Sequence, residues 1–227
     1  PADIFDCIHG IEAVRTDCSK DCVYDVFIVL DTSKERLGDA EKYFRTAKKT
    51  INVDHHISNA SGCGNVNYCK PDASSASELV CELLEEKYMD AEIAKALYLG
   101  IVHDTGVFQY SNTTPDTLRI AANLLAYGFD FSKLIDETFF EKTYVQNQVL
   151  GRALLESVRF MDGKCIFSSI DLKTMEFYKV VPKDLDGIVS QLRITKGVEC
   201  AIFLYQTKTL EYKVSLRSNG KVDVAAI

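Results

Sequence analysis

The sequence contains no tryptophan, only four prolines among its 227 residues, and no apolar run long enough to span a bilayer. The longest apolar stretch, residues 94–102, is interrupted by Lys95 and Gly100. No basic start followed by an apolar segment is present, so no signal peptide is predicted. Disorder is excluded as well, because 47% of the residues are hydrophobic and 26% are charged. We therefore expect an intracellular, cytoplasmic protein that has no membrane partner.

Positive charge is scarce, with 26 Lys and Arg against 33 Asp and Glu and a formal net charge of −7. Proteins that bind duplex DNA usually carry a basic face that releases phosphate counterions, so duplex DNA is not an expected partner. A nucleotide substrate remains compatible with this charge, because bound divalent cations supply local positive charge. Such a site requires clustered carboxylates.

Tightly spaced cysteines are also lacking, although the chain has eight cysteines. No C-x2-C pair occurs, and Cys18 and Cys22 are separated by three residues. Disulfide scaffolds are usual in secreted chains shorter than about 100 residues. We interpret the cysteines as reduced thiols, with a zinc module built on Cys18 and Cys22 as the alternative.

Strand and helix patterns alternate in the first half of the chain. Residues 24–30 form a continuous apolar run rich in β-branched and aromatic side chains, which is typical of a strand buried on both faces of a parallel sheet. Residues 34–49 have helical character, and residues 50–53 form a second short strand. This alternation predicts a parallel α/β sheet with flanking helices.

Three helices are predicted after these strands. Residues 74–88 are amphipathic. The apolar face comprises Leu79, Val80, Leu83, Leu84 and Tyr88, and the solvent face comprises Glu78, Glu82, Glu85 and Glu86. Residues 90–104 are apolar on nearly every side and predict a buried helix. The next helix begins at the N-cap Thr114, with Pro115 in its first position.

The second half of the chain has a different pattern. Strands are predicted at residues 158–161, 164–170, 199–205 and 212–216, and helices at residues 130–140, 142–157, 172–179 and 182–194. We expect a first domain over residues 1–141, a connecting helix over residues 142–157, and a smaller α+β domain over residues 158–227. The fold class is therefore α/β.

Three motifs place an acid or a histidine just after an apolar element. They are Asp31 in Leu-Asp-Thr-Ser, Asp54 to His56 in Asn-Val-Asp-His-His, and His103 with Asp104 in Ile-Val-His-Asp-Thr-Gly. Singly, each acid also fits a turn or a helix cap. In open parallel sheets, however, ligands bind outside the carboxyl ends of the strands.

Carboxylates and imidazoles without thiolates suit Mn²⁺ or Mg²⁺ better than structural zinc. Two such ions activate water and hold both oxygens of an in-line phosphoryl displacement, and a carboxylate placed like Asp31 can bridge them. The motifs therefore predict hydrolysis of a phosphate ester or anhydride.

The three motifs, in this order, resemble those of the DHH phosphoesterase superfamily. The resemblance is greatest to its branch of bacterial bifunctional oligoribonucleases (nanoRNases) and 3′,5′-bisphosphate nucleotide phosphatases. Two further segments match: Ala-Ser-Ser-Ala-Ser-Glu-Leu after Asp72, and the segment from Lys213 to Ser218. The resemblance implies a parallel-sheet DHH domain joined by a helix to a smaller α+β DHH-associated domain, with substrate in a cleft between them.

The resemblance also implies a role for each matching residue in the first half. Asp31 corresponds to the metal-bridging aspartate, and His55 and Asp104 to ligands of the second of two Mn²⁺ ions, with Mg²⁺ as the alternative metal. His56 corresponds to the histidine that contacts the scissile phosphate. Asp54 corresponds to an acid that orients the site without binding metal, as supporting residues of metal sites do.

Further roles implied by the resemblance are less central. Arg217 and Ser218 correspond to residues of the smaller domain that hold the substrate, and a guanidinium suits this task because it binds phosphate with two hydrogen bonds. His103 lies where the family motif varies, so it receives only a weak site role.

Two expected motifs have no match in the chain. The family begins with a strand that ends in His-x-x-x-Asp-x-Asp-Ala, and we interpret Asp3, Asp6 and His9 as incidental. The family also continues into a Gly-Gly-Gly-His segment, whereas this sequence stops at Val224–Ile227. We therefore expect a chain that is shortened at both ends and has weak or no activity by itself.

The leading hypothesis is a manganese-dependent phosphoesterase. It would cleave short RNA or 3′,5′-bisphosphate nucleotides to mononucleotides and phosphate. In one alternative, the protein belongs to the same family but acts on a cyclic or linear dinucleotide or on polyphosphate. Another is a nucleotide-binding module without catalysis. The sequence contains no pattern that indicates an oligomeric state.

Overall fold

The computed structural model describes residues 3–224 and 226. The chain divides into two compact units, Pro1–Glu141 and Lys142–Ile227. Pro1 and the end of the predicted second domain at Ile227 lie outside the described residues. Within the described part, no helix has the length and apolar character needed to cross a membrane.

The first unit contains a parallel sheet and a set of α-helices. The three strands are β1 (Val26–Leu30), β2 (Lys49–Asp54) and β3 (Val66–Cys69). The helices are α1 (Glu41–Thr46), α2 (Ala76–Leu83), α3 (Ala91–Asp104), α4 (Pro115–Leu125) and α5 (Phe131–Ile135), the last of which continues into a π-helical turn, Asp136–Phe140. β2 is the central strand and pairs in parallel with both neighbours. The predicted α/β fold class is confirmed.

The sheet differs from the prediction in two ways. β1 is covered on one face only, because Val29 is buried whereas Val26, Ile28 and Leu30 are about half exposed. The prediction of a strand buried on both faces was therefore wrong. β3 was not predicted, because its four residues, Val-Asn-Tyr-Cys, contain an exposed polar side chain in the middle and form no apolar run.

The helical predictions for the first unit are confirmed in part. α3 is buried as predicted, and Asp90 caps it by accepting a hydrogen bond from the Ile93 N–H. Thr114 caps α4 in the same way, with Pro115 as the first helical residue. Between β1 and β2, only α1 is α-helical, preceded by two short 3₁₀ turns.

The amphipathic prediction for residues 74–88 was wrong in its C-terminal part and for Glu78. α2 ends at Leu83, because the backbone of the next residue, Leu84, is extended. Leu83 and Tyr88 are therefore exposed instead of buried. Glu78 was predicted on the solvent face but is only 4% exposed. Its carboxylate is buried because hydroxyl groups of the first unit satisfy it.

The second unit is a mixed sheet with helices. Its strands are β4 (Val158–Phe160), β5 (Cys165–Ile170), β6 (Cys200–Lys208) and β7 (Glu211–Ser218), in the spatial order β4-β5-β6-β7. Its helices are α6 (Tyr144–Leu155), α7 (Leu172–Tyr178) and α8 (Ile188–Arg193). Only the β5–β6 pair is parallel. Val149 and Ala153 of α6 are fully buried in the core of this unit.

Replacement of Leu79 tests the packing beneath the carboxyl end of β2. Leu79 is fully buried and clusters with Val53 and Ala73. We expect Leu79→Ala to lower the free energy of unfolding by about 3 kcal/mol, because the missing atoms leave a cavity. Urea unfolding followed by circular dichroism measures this loss. Leu83→Ala on the same helix removes an exposed side chain and is expected to cost less than about 0.5 kcal/mol. Equal losses for both variants would contradict the packing described.

Candidate metal centre

Asp31 lies directly after β1, at the edge of the sheet. Its N–H donates to the Val53 carbonyl at 3.0 Å, which extends the β1–β2 pairing by one residue. Its φ of 59° then turns the chain away from the sheet. Aspartate is among the few residues that tolerate this left-handed conformation. The turn leaves the carboxylate about half exposed beside the end of β2.

His55 and His56 follow β2 and face Asp31. The His55 Nε2 atom lies 3.3 Å from Asp31 Oδ1 and 3.6 Å from Asp104 Oδ2. The His56 Nδ1 atom lies 3.8 Å from Asp31 Oδ1. Ligand atoms of Asp31, His55 and His56 all lie within 4.8 Å of one another. Three motifs that are distant in the sequence thus meet at one place.

Asp104 is the last residue of α3, and the chain turns sharply after it. The Thr105 hydroxyl donates to the Ile101 carbonyl at 2.7 Å and accepts from the Phe108 N–H at 3.0 Å. Between these anchors, the backbone is left-handed at Gly106, Val107 and Phe108, with φ of 56°, 57° and 62°. A positive φ is an outlier for a β-branched residue such as valine, and strained backbone of this kind clusters at functional sites.

Asp54 accepts hydrogen bonds from both histidines. Its Oδ1 accepts hydrogen bonds from the His55 N–H at 2.8 Å, the His56 N–H at 3.1 Å and His56 Nδ1 at 2.7 Å. Its Oδ2 accepts from Asn59 Nδ2 at 2.6 Å. Burial by itself raises the pKa of Asp54, but the hydrogen bonds from Asn59 and His56 outweigh burial and bring the pKa below its ordinary value. The ionised Asp54 therefore orients His56 with its Nδ1 as a donor.

The tautomer of His55 follows from one contact. Its Nδ1 lies 3.2 Å from the Ala73 carbonyl oxygen, which only accepts hydrogen bonds, so Nδ1 carries the proton. In the neutral ring, Nε2 then presents its lone pair to the carboxylates of Asp31 and Asp104.

The electrostatics of this group favour a bound cation. The pKa of His55 is raised, chiefly by its contact with Asp31, and burial together with the Asp31 charge raises the pKa of Asp104. Both shifts mean that this group of electron-rich atoms favours added positive charge, which a bound cation supplies in place of protons. Two carboxylates and an imidazole form a donor set that fits a divalent metal ion.

Asparagines that the sequence reasoning did not identify hold the surrounding loops. The Asn112 side-chain amide donates to the Ser74 carbonyl at 2.9 Å and to the Asp104 carbonyl at 3.2 Å. The amide of Asn52 donates to the Val29 and Thr32 carbonyls, both at 3.2 Å, and so fixes the turn around Asp31. The available signal was the polar residue Asn52, which stands between Ile51 and Val53 in β2.

His103 is adjacent to Asp104 but lies in different surroundings. Its ring centroid is 5.3 Å from the Phe5 ring and 5.5 Å from the Phe139 ring. Its Nε2 is buried and has no hydrogen-bond partner among the residues that the structure describes. Burial lowers the pKa of His103. The structure therefore does not bring this histidine into the Asp31 group.

Arg217 and Ser218 lie on β7 of the second unit. The Arg217 guanidinium donates to the Leu216 carbonyl at 3.0 Å, and the Ser218 hydroxyl donates to the Val222 carbonyl at 2.6 Å. Their predicted role in holding substrate stays a prediction.

The cysteines do not form a competing metal site in the described part of the chain. All eight are free. Over residues 3–224, one group of at least three potential metal ligands is present, and it consists of Asp31, His55 and His56. Cys18 and Cys22 are outside it, so the zinc alternative gains no support. Asp6 and His9 are outside it as well.

Comparisons with known proteins connect this geometry to a family. Residues 4–101 match the profile of the "DHH family, N-terminal domain". The chain is 29% identical over 200 residues to the "Bifunctional oligoribonuclease and PAP phosphatase NrnA" of Bacillus subtilis. This match covers 86% of this chain and 62% of that protein. The NrnA of Thermus thermophilus is 31% identical over 180 residues, or 78% of this chain and 53% of that protein. The chain thus spans less than two thirds of these relatives.

A solved structure shares the fold. It is an exopolyphosphatase-related protein from Bacteroides fragilis that superposes with a TM-score of 0.86 at 22% identity. The match covers 96% of this chain and 68% of that one. At this identity the likeness shows the fold alone.

Substitution of Asp54 tests the support of the histidines through pH. Because the folded-state pKa of Asp54 is depressed, its contribution to stability is present above its unfolded pKa and is lost as pH falls through the folded pKa. We expect Asp54→Asn to lower the free energy of unfolding by about 2 kcal/mol at neutral pH, because an amide N–H then meets Asn59.

This difference should shrink below about pH 4, where the wild-type carboxylate becomes protonated. Urea unfolding of metal-free protein at several pH values measures it. Asp25→Asn, which removes an exposed charge paired with Lys48, serves as the control and should change stability little. A pH-independent difference for Asp54→Asn would contradict the role of its charge.

Proposed function

We propose that the chain is part of a metal-dependent phosphoesterase of the DHH family, because residues 4–101 match the N-terminal domain of that family. The proposed substrates are short oligoribonucleotides and 3′,5′-bisphosphate nucleotides, in line with the names of the NrnA relatives. The observation that carries the proposal is the approach of Asp31 and Asp104 to the Nε2 atom of His55, at 3.3 Å and 3.6 Å. We further propose that the protein acts in the cytoplasm.

Asp31, His55 and Asp104 would hold the metal, which we propose to be Mn²⁺, with Mg²⁺ as the alternative. When bound, such an ion lowers the pKa of a water molecule and stabilises charge on the phosphoryl oxygens. Asp31 has the most exposed side chain of the three, which suits a carboxylate shared with a second ion.

His56 is suited to contact the substrate instead. Its side chain is 39% exposed, against 15% for His55, and Asp54 fixes its orientation through Nδ1. An imidazole held in this way donates a hydrogen bond from its other nitrogen to a phosphate oxygen when it is protonated. Such a donor stabilises the charge that develops on the transferring group. Asp54 does not contact the substrate in this scheme, because its side chain is fully buried.

We propose that Arg217 and Ser218 bind the terminal nucleotide or phosphate of the substrate. The guanidinium of Arg217 is exposed and carries a fixed charge that matches a phosphate with two hydrogen bonds. The acidic balance of the chain limits nucleic-acid binding to short strands, because a long duplex requires a basic face.

The first test is metal binding, which does not depend on turnover. We expect Mn²⁺ titration, followed by the electron paramagnetic resonance of the free ion, to show a bound ion. Asp31→Ala or His55→Ala should weaken binding by more than the roughly 10-fold that loss of a supporting residue costs. His9→Ala, an exposed histidine outside the group, is the control and should bind as the wild type does. Unchanged affinity in both alanine variants of the site would contradict the ligand assignment.

The second test is hydrolysis. Two-ion chemistry needs more ligands than one group supplies, and the described residues form a single group of at least three potential ligands. We therefore expect this chain to hydrolyse a dinucleotide with Mn²⁺ much more slowly than the Bacillus subtilis relative does. Comparable rates would contradict weak activity. Faster cleavage of a cyclic dinucleotide or of polyphosphate than of the dinucleotide or a 3′,5′-bisphosphate nucleotide would overturn the substrate assignment.

A further inference from the structure

Glu78 is a buried carboxylate that the site described above does not use. It lies in the first turn of α2, where its N–H donates to the capping hydroxyl of Ser75 at 3.0 Å. A glutamate in this position of a helix usually turns back to accept the N–H of the capping residue itself. Here its Oε2 reaches one residue further, to Ser74, and also across to α4.

Three donors satisfy this one oxygen. The Ser74 N–H donates to Glu78 Oε2 at 3.2 Å, and the Ser74 hydroxyl donates to it as well. The Thr117 hydroxyl of α4 donates at 2.7 Å. Ser74 and Thr117 are fully buried. Burying a carboxylate is costly unless hydrogen bonds compensate, so this arrangement holds a negative charge at a defined point in the protein.

The Glu78 carboxylate is connected to the metal centre through one peptide group. The Ser74 N–H, which donates to Glu78, and the Ala73 carbonyl, which accepts from His55 Nδ1 at 3.2 Å, belong to the same peptide bond. A continuous chain of hydrogen bonds therefore runs from the carboxylate through the peptide group to the imidazole. At its far end, the Nε2 of His55 lies 3.3 Å from Asp31.

We propose that Glu78 is a positioning residue of the metal centre, which acts on His55 through the Ala73–Ser74 peptide group. The inference rests on the proposed function in one respect, namely that His55 Nε2 binds the metal. A negative charge at the N–H end polarises the peptide group and strengthens its carbonyl as an acceptor. A stronger acceptor holds the proton on Nδ1 and makes Nε2 the better metal ligand.

This arrangement extends a common device of metal sites. A ligating histidine commonly donates its second N–H to a carboxylate or to a backbone carbonyl. In this protein the histidine contacts a carbonyl, and the carboxylate lies behind that carbonyl. Glu78 can thus contribute its charge from within the core, away from the exposed face of the site.

A purely structural role is the competing explanation, because the Glu78–Thr117 contact joins α2 to α4. The two roles separate by substitution. Thr117→Val removes the contact with α4 but leaves the charge and its bond to the Ser74 N–H in place. Glu78→Gln keeps the shape of the side chain and removes the charge. Glu82→Gln, one turn further on the same helix, removes a surface charge paired with Lys70 and is the matched control.

The first readout is the ¹⁵N spectrum of the His55 ring in metal-free protein, in alkaline buffer where imidazoles are neutral. We expect a protonated Nδ1 and a bare Nε2 in the wild type, in Thr117→Val and in Glu82→Gln. Glu78→Gln should shift the ring towards a mixture of both tautomers. A wild-type ring protonated on Nε2 would overturn the proposal even if Glu78→Gln does not fold.

The second readout is Mn²⁺ affinity, together with thermal unfolding. Glu78→Gln should weaken binding by about 10-fold, the lower end of the range for supporting residues of metal sites. Thr117→Val should lower the melting temperature and keep the affinity. Equal loss of affinity in Glu78→Gln and Thr117→Val would show that Glu78 has only a structural role. An unchanged tautomer and an unchanged affinity in Glu78→Gln would show the same. Absence of Mn²⁺ binding in the wild type would overturn the proposed function, while the tautomer still tests the link from Glu78 to His55.

Discussion

The parallel pairing of β1 with β2 is the constraint on which the metal centre depends. Leu30 pairs with Val53, so the residues that follow the two strands leave the sheet at the same edge. Asp31 and His55 meet for this reason, although 23 residues separate them in the chain. Because side chains alternate between the faces of a strand, a slip of one residue would turn the polar residues at the strand ends towards the wrong face.

Placing acidic groups close together is unfavourable in the absence of a cation, so the surrounding structure must hold them in place. Partly buried hydrogen bonds do this from several directions. Asp54 holds both histidines, Asn52 holds the turn around Asp31, and Asn112 ties the end of α3 to the segment before α2. Such polar networks make the interior specific for one arrangement. The left-handed residues after α3 belong to the same pattern, in which local strain at a site is balanced by stable structure around it.

Local signals predicted the secondary structure well where neighbouring residues decide it. Thr114 with Pro115 marks the start of α4, and the apolar sequence after Asp90 marks the buried α3. β3 was missed because its residues form no apolar run, and the covering of β1 was overestimated because an apolar strand does not reveal how many faces are packed. The burial of Glu78 was missed because its partner Thr117 lies 39 residues further along the chain.

The sequence by itself determined the order of the motifs, the chemical types of the candidate ligands and the resemblance to a family, since these are properties of neighbouring residues. The tertiary structure alone decided which of these residues meet. It joined Asp31, His55 and Asp104 and placed His103 among phenylalanine rings, although His103 and Asp104 are adjacent. The physical reason is that successive residues of a helix point in different directions. It also decided the tautomer of His55 and the burial of Glu78, because both depend on hydrogen bonds between segments that are distant in the sequence.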